Sequence, residues 1–205
     1  MAPVVGLIIS YLAGSIPSAY IAGKLRGVDL RKHGSGNLGA TNVVRVLGAK
    51  TGAVVFIADL LKGFLPVYFL PIYTETLRPE LWALVYGVAA IAGHVKPIFL
   101  LGKGGGKGVA TASGVFLALA FVPMLVSEAV WIATFYFTRY VSLASLLGAA
   151  VLPIAILVWY RDAQSPVFIA SVIIAAFVFW THRANIGRLR RGEEHRFVKK
   201  KESEP

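Results

Sequence analysis

The chain has no cysteine, and against 21 lysines and arginines it sets only 10 aspartates and glutamates and four histidines. Without thiols there are no disulfides, thiolate nucleophiles or zinc-thiolate sites. With so few carboxylates, a two-metal site has no ligand supply, and no His-Glu-x2-His pair occurs. No metal and no cofactor are therefore expected. The Gly-x4-Gly-Lys-Ser/Thr order of a nucleotide loop and the Gly-x-Ser-x-Gly elbow of a serine hydrolase are also missing. Charge is scarce as well: 15% of the 205 residues are charged and 57% are hydrophobic, above the roughly 45–50% of soluble domains. The net charge of +11 lies in short spans between apolar blocks. That arrangement excludes a nucleic-acid binder and suits an anionic lipid surface or an anionic substrate.

Long apolar runs are what the sequence has instead. A bilayer asks for about 20 apolar residues per helix, and segments 3–23, 51–73, 81–101, 141–159 and 166–181 meet or approach that. The first has no basic leader or clear cleavage site and reads as retained. It carries Ser10, Gly14 and Ser18 at four-residue spacing, a small-residue stripe for close helix packing. Segment 109–137 is too long for one ordinary span and short for two, with Pro123, Ser127 and Glu128 in its middle.

Charge bias resolves that segment. The basic residues of span 24–50, of the loop at 102–108 and of the tail from His182 onward all favour the cytoplasmic side. They share a side only if 109–137 crosses twice, breaking near Pro123 to Glu128. The expectation is an all-α polytopic bundle of seven transmembrane helices, with the N-terminus outside and the C-terminus cytoplasmic. Residues 1–198 form one membrane domain, and 199–205 a basic disordered tail.

Three polar blocks interrupt the apolar pattern. Gly102-Lys103-Gly104-Gly105-Gly106-Lys107-Gly108 cannot be a helix interior, because each glycine costs about 1 kcal/mol there. Its amides can turn inward as an anion nest, its lysines add charge, and a helix start follows. The plainer alternative is a flexible basic turn. Span 24–50 holds Gly34, Ser35, Gly36, Asn37, Gly39, Thr41 and Asn42, then a short helix over 43–47 carrying Arg45. Arginine offers a planar fork for phosphate. The third block places His182 and Asn185 three apart on one helix face, with Arg188 and Glu193 beyond. Asp59 with Lys62, and His94, lie at membrane depth, where charges are paired or functional.

These three blocks, Gly34-Ser35-Gly36-Asn37-Leu38-Gly39-Ala40-Thr41-Asn42, the glycine loop 102–108 and His182-Arg183-Ala184-Asn185-Ile186, resemble the bacterial acyl-phosphate:glycerol-3-phosphate acyltransferases along the whole membrane domain. The His-x4-Asp pattern of soluble and peripheral glycerolipid acyltransferases fails at all four histidines. The resemblance implies transfer of a fatty acyl group from acyl phosphate to the 1-hydroxyl of glycerol 3-phosphate. The products are lysophosphatidic acid and inorganic phosphate, made by a monomeric inner-membrane enzyme whose active site faces the cytoplasm. The expected catalytic residues are Ser35, Arg45, His182 and Asn185. The expected substrate contacts are Asn37, Thr41, Asn42, Lys103, Gly104, Gly105, Gly106, Lys107 and Arg188. Two anionic substrates need two pockets. Acyl phosphate is assigned to the glycine loop, Lys103, Lys107, Thr41 and Asn42, and glycerol 3-phosphate to Ser35, Arg45, His182, Asn185 and Arg188. The acyl chain is expected beside Ala110, Gly114 and Ala118. Two proton acceptors are available, His182 and the donor's own phosphate, and the shortage of carboxylates favours the second. A transporter of phosphate-containing solutes is the main rival, but it would show matched repeats between its halves, and none is visible. A lipid-binding scaffold would explain the basic tail but not the 34–42 block.

Overall fold

Proline starts three of the long helices: Pro3, Pro79 and Pro166 each occupy a first helical position, where the missing N–H is lost at no cost. In the computed structural model, which describes residues 1–197, the described chain is helical throughout, with no strand. The helices are α1 (Pro3–Ser15), α2 (Ser18–Leu25), α3 (Ala40–Leu47), α4 (Ala49–Phe69), α5 (Pro79–Val95), α6 (Val109–Leu119), α7 (Phe121–Thr138), α8 (Val141–Tyr160), α9 (Pro166–Thr181) and α10 (Arg183–Arg190). The tail expected at 199–205 lies outside the described residues.

Five segments are long and apolar enough to cross a membrane: Pro3–Leu25, Ala49–Tyr73, Pro79–Leu100, Phe121–Thr138 and Val141–Tyr160. Pro166–Thr181 and Arg183–Arg190 make a sixth if counted together across a 59° bend. The protein is an integral membrane helix bundle. Its outer surface exposes isoleucine, valine and leucine, with Tyr73, Tyr136, Trp159, Tyr160 and Trp180 exposed near helix ends, as in the aromatic belts of membrane proteins.

Two expected boundaries move. The first span is not one helix: it breaks at Ile16 and Pro17 between α1 and α2, because Pro17 cannot continue the ladder of α1. A freed carbonyl inside a bilayer needs a partner, and the Lys62 ammonium donates to the Ile16 carbonyl at 2.9 Å. Segment 109–137 breaks at Ala120 (φ −149°, ψ 64°), not between Pro123 and Glu128. Pro123 falls in the first turn of α7, where backbone N–H groups have no intrahelical partner anyway. It marks a helix start rather than a mid-span kink. At 11 residues, α6 is about 17 Å long, well short of the roughly 30 Å hydrocarbon core. Its first residues adjoin Lys107, which bonds Asn185, while the residue after α7, Arg139, accepts a backbone bond from Phe197. Both ends of the α6–α7 stretch therefore lie beside the segment that runs from the third polar block at Asn185 to Phe197.

Glycines set the tightest crossings. A Cβ at Gly63 of α4 would overlap the Thr111 carbonyl of α6, and one at Gly114 of α6 would overlap the Leu60 carbonyl of α4. Likewise Gly14 of α1 lies on the Ala90 carbonyl, and Gly93 of α5 on the Tyr11 carbonyl. In lipid there is little hydrophobic drive between helices, so backbone contact of this kind supplies the packing. The Ala110, Gly114 and Ala118 face is therefore not an acyl-chain wall. Gly114 is consumed by α4, and Ala118 packs against the core cluster that includes Val67, Ala83 and Val115. We predict that Gly63→Val destabilises the protein by about 1–3 kcal/mol or more, seen as a lower Tm in detergent. An unchanged Tm would refute the close α4–α6 crossing.

Candidate functional site

The glycine loop is entered through a left-handed residue, Leu101 (φ 53°), followed by left-handed Gly102 and Gly104 and closed by Gly108 (φ 82°). The amides of Gly102 and Lys103 are spent on Pro97 and Leu100. Among the described residues, the five amides from Gly104 to Gly108 have no hydrogen-bond acceptor. They run directly into the first turn of α6, whose own amides are unpaired. Together they form a donor-rich surface suited to an anion. Glycine is required here by contact as well as by φ. A Cβ on Gly105 would overlap the Val95 carbonyl, and one on Gly106 would overlap the His94 ring.

The 34–42 block sits against this loop: Leu38 borders both Gly104 and Gly106. Asn42 holds the block's shape. Its Nδ2 donates to the carbonyls of Leu30 (3.1 Å) and His33 (3.0 Å), and its Oδ1 accepts from the Ser35 amide (2.8 Å). At 1% exposure, with those bonds made, Asn42 is a loop pin and not the expected substrate contact. Ser35 is exposed at the turn, Asn37 lies beside Gly39, and Thr41 is half-buried in the first turn of α3.

The third block closes the site. Lys107 donates to Asn185 Oδ1. Asn185 Nδ2 donates to Glu194 Oε1 (2.6 Å), and Arg188 Nε to Glu194 Oε2 (2.7 Å). His182 is 4% exposed, with Nδ1 2.8 Å from the Val178 carbonyl. That contact requires Nδ1–H and leaves Nε2 as an acceptor. Arg45 stacks over the Phe197 ring, 5.3 Å from its centroid.

Three cations set around one carboxylate dominate the electrostatics here. Burial pulls Arg45 below its ordinary range, with Glu194 acting against that and Arg188 adding to it. Burial lowers Lys107 to about 8, with Arg188 and Arg45 adding to the effect and Glu194 opposing it. Glu194 is itself pushed up by burial, but the bonds from Asn185 and Arg188 outweigh this and bring it below its usual value. Arg45, Lys107 and Arg188 thus face one carboxylate.

The expected residues Arg45, Lys107, His182, Asn185 and Arg188 come together. Gly105 and Gly106 lie beneath them, while Lys103 and Gly104 are exposed at the rim. Glu194 is the residue that sequence reasoning missed. Glu193, expected to pair with a nearby arginine, does so with Arg191 at 2.7 Å on the surface. The pair are sequence neighbours, and only the turn through Gly192 (φ 72°) decides which of them points inward. A mostly apolar groove lies between α6, α7, α8 and α9. Val109 and Val178 line it near the site, and Ser113, Met124, Glu128 and Leu152 line it elsewhere.

Known proteins share this sequence pattern and this fold. The family model described as glycerol-3-phosphate acyltransferase matches residues 4–192. A glycerol-3-phosphate acyltransferase of Geotalea daltonii is 46% identical over 194 residues, 95% of this chain and 97% of its own. One from Aquifex aeolicus is 43% identical over 192 residues, 93% and 97% of the two chains. Two crystal structures of PlsY, an integral membrane glycerol 3-phosphate acyltransferase, are each 40% identical. The glycerol 3-phosphate form superposes with TM-score 0.87, covering 96% of both chains. The lysophosphatidic acid form superposes with 0.83, covering 96% of this chain and 95% of its own. With its full membrane domain matched in sequence and in fold, this chain belongs to the glycerol-3-phosphate acyltransferase family.

Proposed function

We propose that the protein transfers an acyl group from acyl phosphate to the 1-hydroxyl of glycerol 3-phosphate, releasing lysophosphatidic acid and inorganic phosphate. The observation that carries this reading is the apposition of two anion-binding devices. One is the run of unpaired amides from Gly104 to Gly108, and the other is the Arg45, Lys107 and Arg188 cluster. A donor whose leaving group is itself a phosphate uses both. The solved relatives in glycerol 3-phosphate and lysophosphatidic acid forms support the acceptor and the product.

In this reading the glycine loop holds the donor's phosphoryl group. Arg45, Arg188 and Asn185 hold glycerol 3-phosphate, Lys107 stands between the two anions, and Ser35 and Thr41 line the rim. The acyl chain leaves through the groove between α6 and α9, and Val109 at the loop's edge gives it an entry. The glycerol oxygen attacks the acyl carbonyl carbon while the bond from that carbon to the phosphate oxygen breaks. The hydroxyl proton passes to the departing phosphate, and His182 Nε2 orients the hydroxyl. Loop amides and Lys107 stabilise the carbonyl oxyanion and the leaving group, and shared confinement supplies the orientation. No acyl-enzyme is formed. We further propose a single-domain, monomeric, seven-pass arrangement in the bacterial cytoplasmic membrane with the site at the cytoplasmic face. The return of the α6–α7 stretch to the segment from Asn185 to Phe197 and the basic residues gathered around it support this.

Four outcomes follow. Purified protein given palmitoyl phosphate and glycerol 3-phosphate releases inorganic phosphate and lysophosphatidic acid in equal amounts, and palmitoyl-CoA does not substitute. In the same assay Arg45→Ala raises KM for glycerol 3-phosphate roughly 10- to 100-fold, the scale of one charge-assisted contact, and spares that for palmitoyl phosphate. Transfer from palmitoyl-CoA alone would overturn the donor assignment. Lysine is charged below its pKa and neutral above it, so kcat/KM falls as pH rises through about 8. Lys107→Arg abolishes that decline, and an unaltered profile would remove Lys107 from the site. A general base contributes about 10²- to 10⁴-fold. His182→Gln therefore lowers kcat less than about 10-fold if phosphate takes the proton, and a loss of 100-fold or more would make His182 the base.

A further inference from the structure

Beneath the glycine loop lies a charged cluster that the reaction described above does not use. Asp59 and Lys62 are one helical turn apart on α4 and almost fully buried, with Lys62 Nζ 2.7 Å from Asp59 Oδ1. His94, at the last turn of α5, is 7% exposed, and its Nδ1 lies 3.8 Å from the same carboxylate oxygen. That nitrogen is buried with no hydrogen-bond partner. The opposite edge of the ring, Nε2, abuts Gly106, where any Cβ would overlap it. A buried ion pair in a bilayer is costly to keep unless it does something besides neutralise itself. Part of the reason is already clear: Lys62 caps the Ile16 carbonyl at the α1–α2 break. That accounts for the ammonium and requires a counter-ion, but it does not require a histidine beside the counter-ion.

The rest of the α5 terminus is fixed in the same way. The Tyr11 hydroxyl of α1 donates to the Lys96 carbonyl at 2.8 Å, and the Val95 carbonyl lies directly under Gly105. The loop therefore has a floor made of the α5 end, and His94 is a titratable side chain of that floor that touches the loop at Gly106. Its ring lies between a carboxylate on α4 and the Cα of Gly106. A ring that faces this carboxylate through Nδ1 and meets Gly106 through Nε2 couples the position of Asp59 to that of the loop.

We propose that His94, oriented by the Asp59–Lys62 pair, is a positioning residue that sets the height of the glycine loop and hence its affinity for the phosphoryl group of the acyl donor. This rests on the functional reading above, in which that loop holds the donor. The role is carried through Gly106 and not through contact with substrate. It distinguishes the two substrates, because among the described residues Arg45 and Arg188 make no hydrogen bond or ion pair with the His94, Asp59 and Lys62 cluster.

The test is steady-state kinetics of the full-length protein in detergent, with palmitoyl phosphate and glycerol 3-phosphate varied separately and Tm measured on the same preparations. His94→Leu keeps the bulk and loses the polar edge. It raises KM for palmitoyl phosphate about 10-fold or more and leaves KM for glycerol 3-phosphate within twofold. His94→Gln, which keeps a donor and an acceptor, recovers at least half of that loss on a logarithmic scale. Asp59→Asn gives the same selective rise, and combining it with His94→Leu adds no further loss, as expected of residues acting as one unit. Should His94→Leu fail to fold, the comparison of Asp59→Asn with His94→Gln carries the same test. Equal loss for both substrates, a lowered Tm with unchanged KM values, or additive effects would overturn the proposal. Wild-type protein that makes no product from palmitoyl phosphate would instead refute the functional reading, so the two failures are distinguishable.

Discussion

Backbone-to-backbone contact is the constraint on which the rest of this bundle depends. Carbonyls of Leu60, Ala90, Val95 and Thr111 each lie where a side chain on the facing glycine would stand. Between helices in lipid, where apolar side chains gain little by leaving their surroundings, such approach gives dense packing and fixes relative height. The same device operates at the site. Gly105 and Gly106 rest on the end of α5 as Gly63 and Gly114 rest on the partner helix. The loop that looks flexible from its composition is therefore seated on a helix terminus and held by contact.

The second organising fact is an imbalance of charge. Arg45, Lys107 and Arg188 converge on a single carboxylate, and Lys107 itself belongs to the loop whose amides are unpaired among the described residues. Glu194 does not neutralise the cluster. Through Asn185 and Arg188 it fixes the orientation of two donors. The surplus positive charge is tolerable because the cluster is at a helix end and not at the bilayer centre. Asp59 and Lys62 show the contrasting solution at depth, where each charge has a partner within 3 Å. The protein thus pairs its charges at depth and leaves cations in excess at the candidate site.

Much of the site was legible in the order of residues. The glycine loop, Arg45, His182, Asn185 and Arg188 could be picked out because glycine runs, arginine and short polar residues have no reason to interrupt apolar helices unless they bind something. What could not be read was which polar atoms were already occupied. Asn42 resembles any other short amide of its block until its three backbone bonds are seen. Glu193 and Glu194 are equivalent in sequence and differ only in the direction the chain takes after Gly192. The small-residue face of α6 reads equally well as a groove wall or a helix contact, and only the position of Leu60 decides between them.

By itself the sequence determined the helical membrane class and three polar blocks rich in donors, because hydrophobic length and the chemistry of glycine and arginine are local properties. Tertiary structure decided the breaks at Pro17 and Ala120, the inward turn of Glu194 and the seating of the loop on His94. Each of these depends on where a distant carbonyl, carboxylate or ring comes to rest, and no spacing along the chain encodes that position.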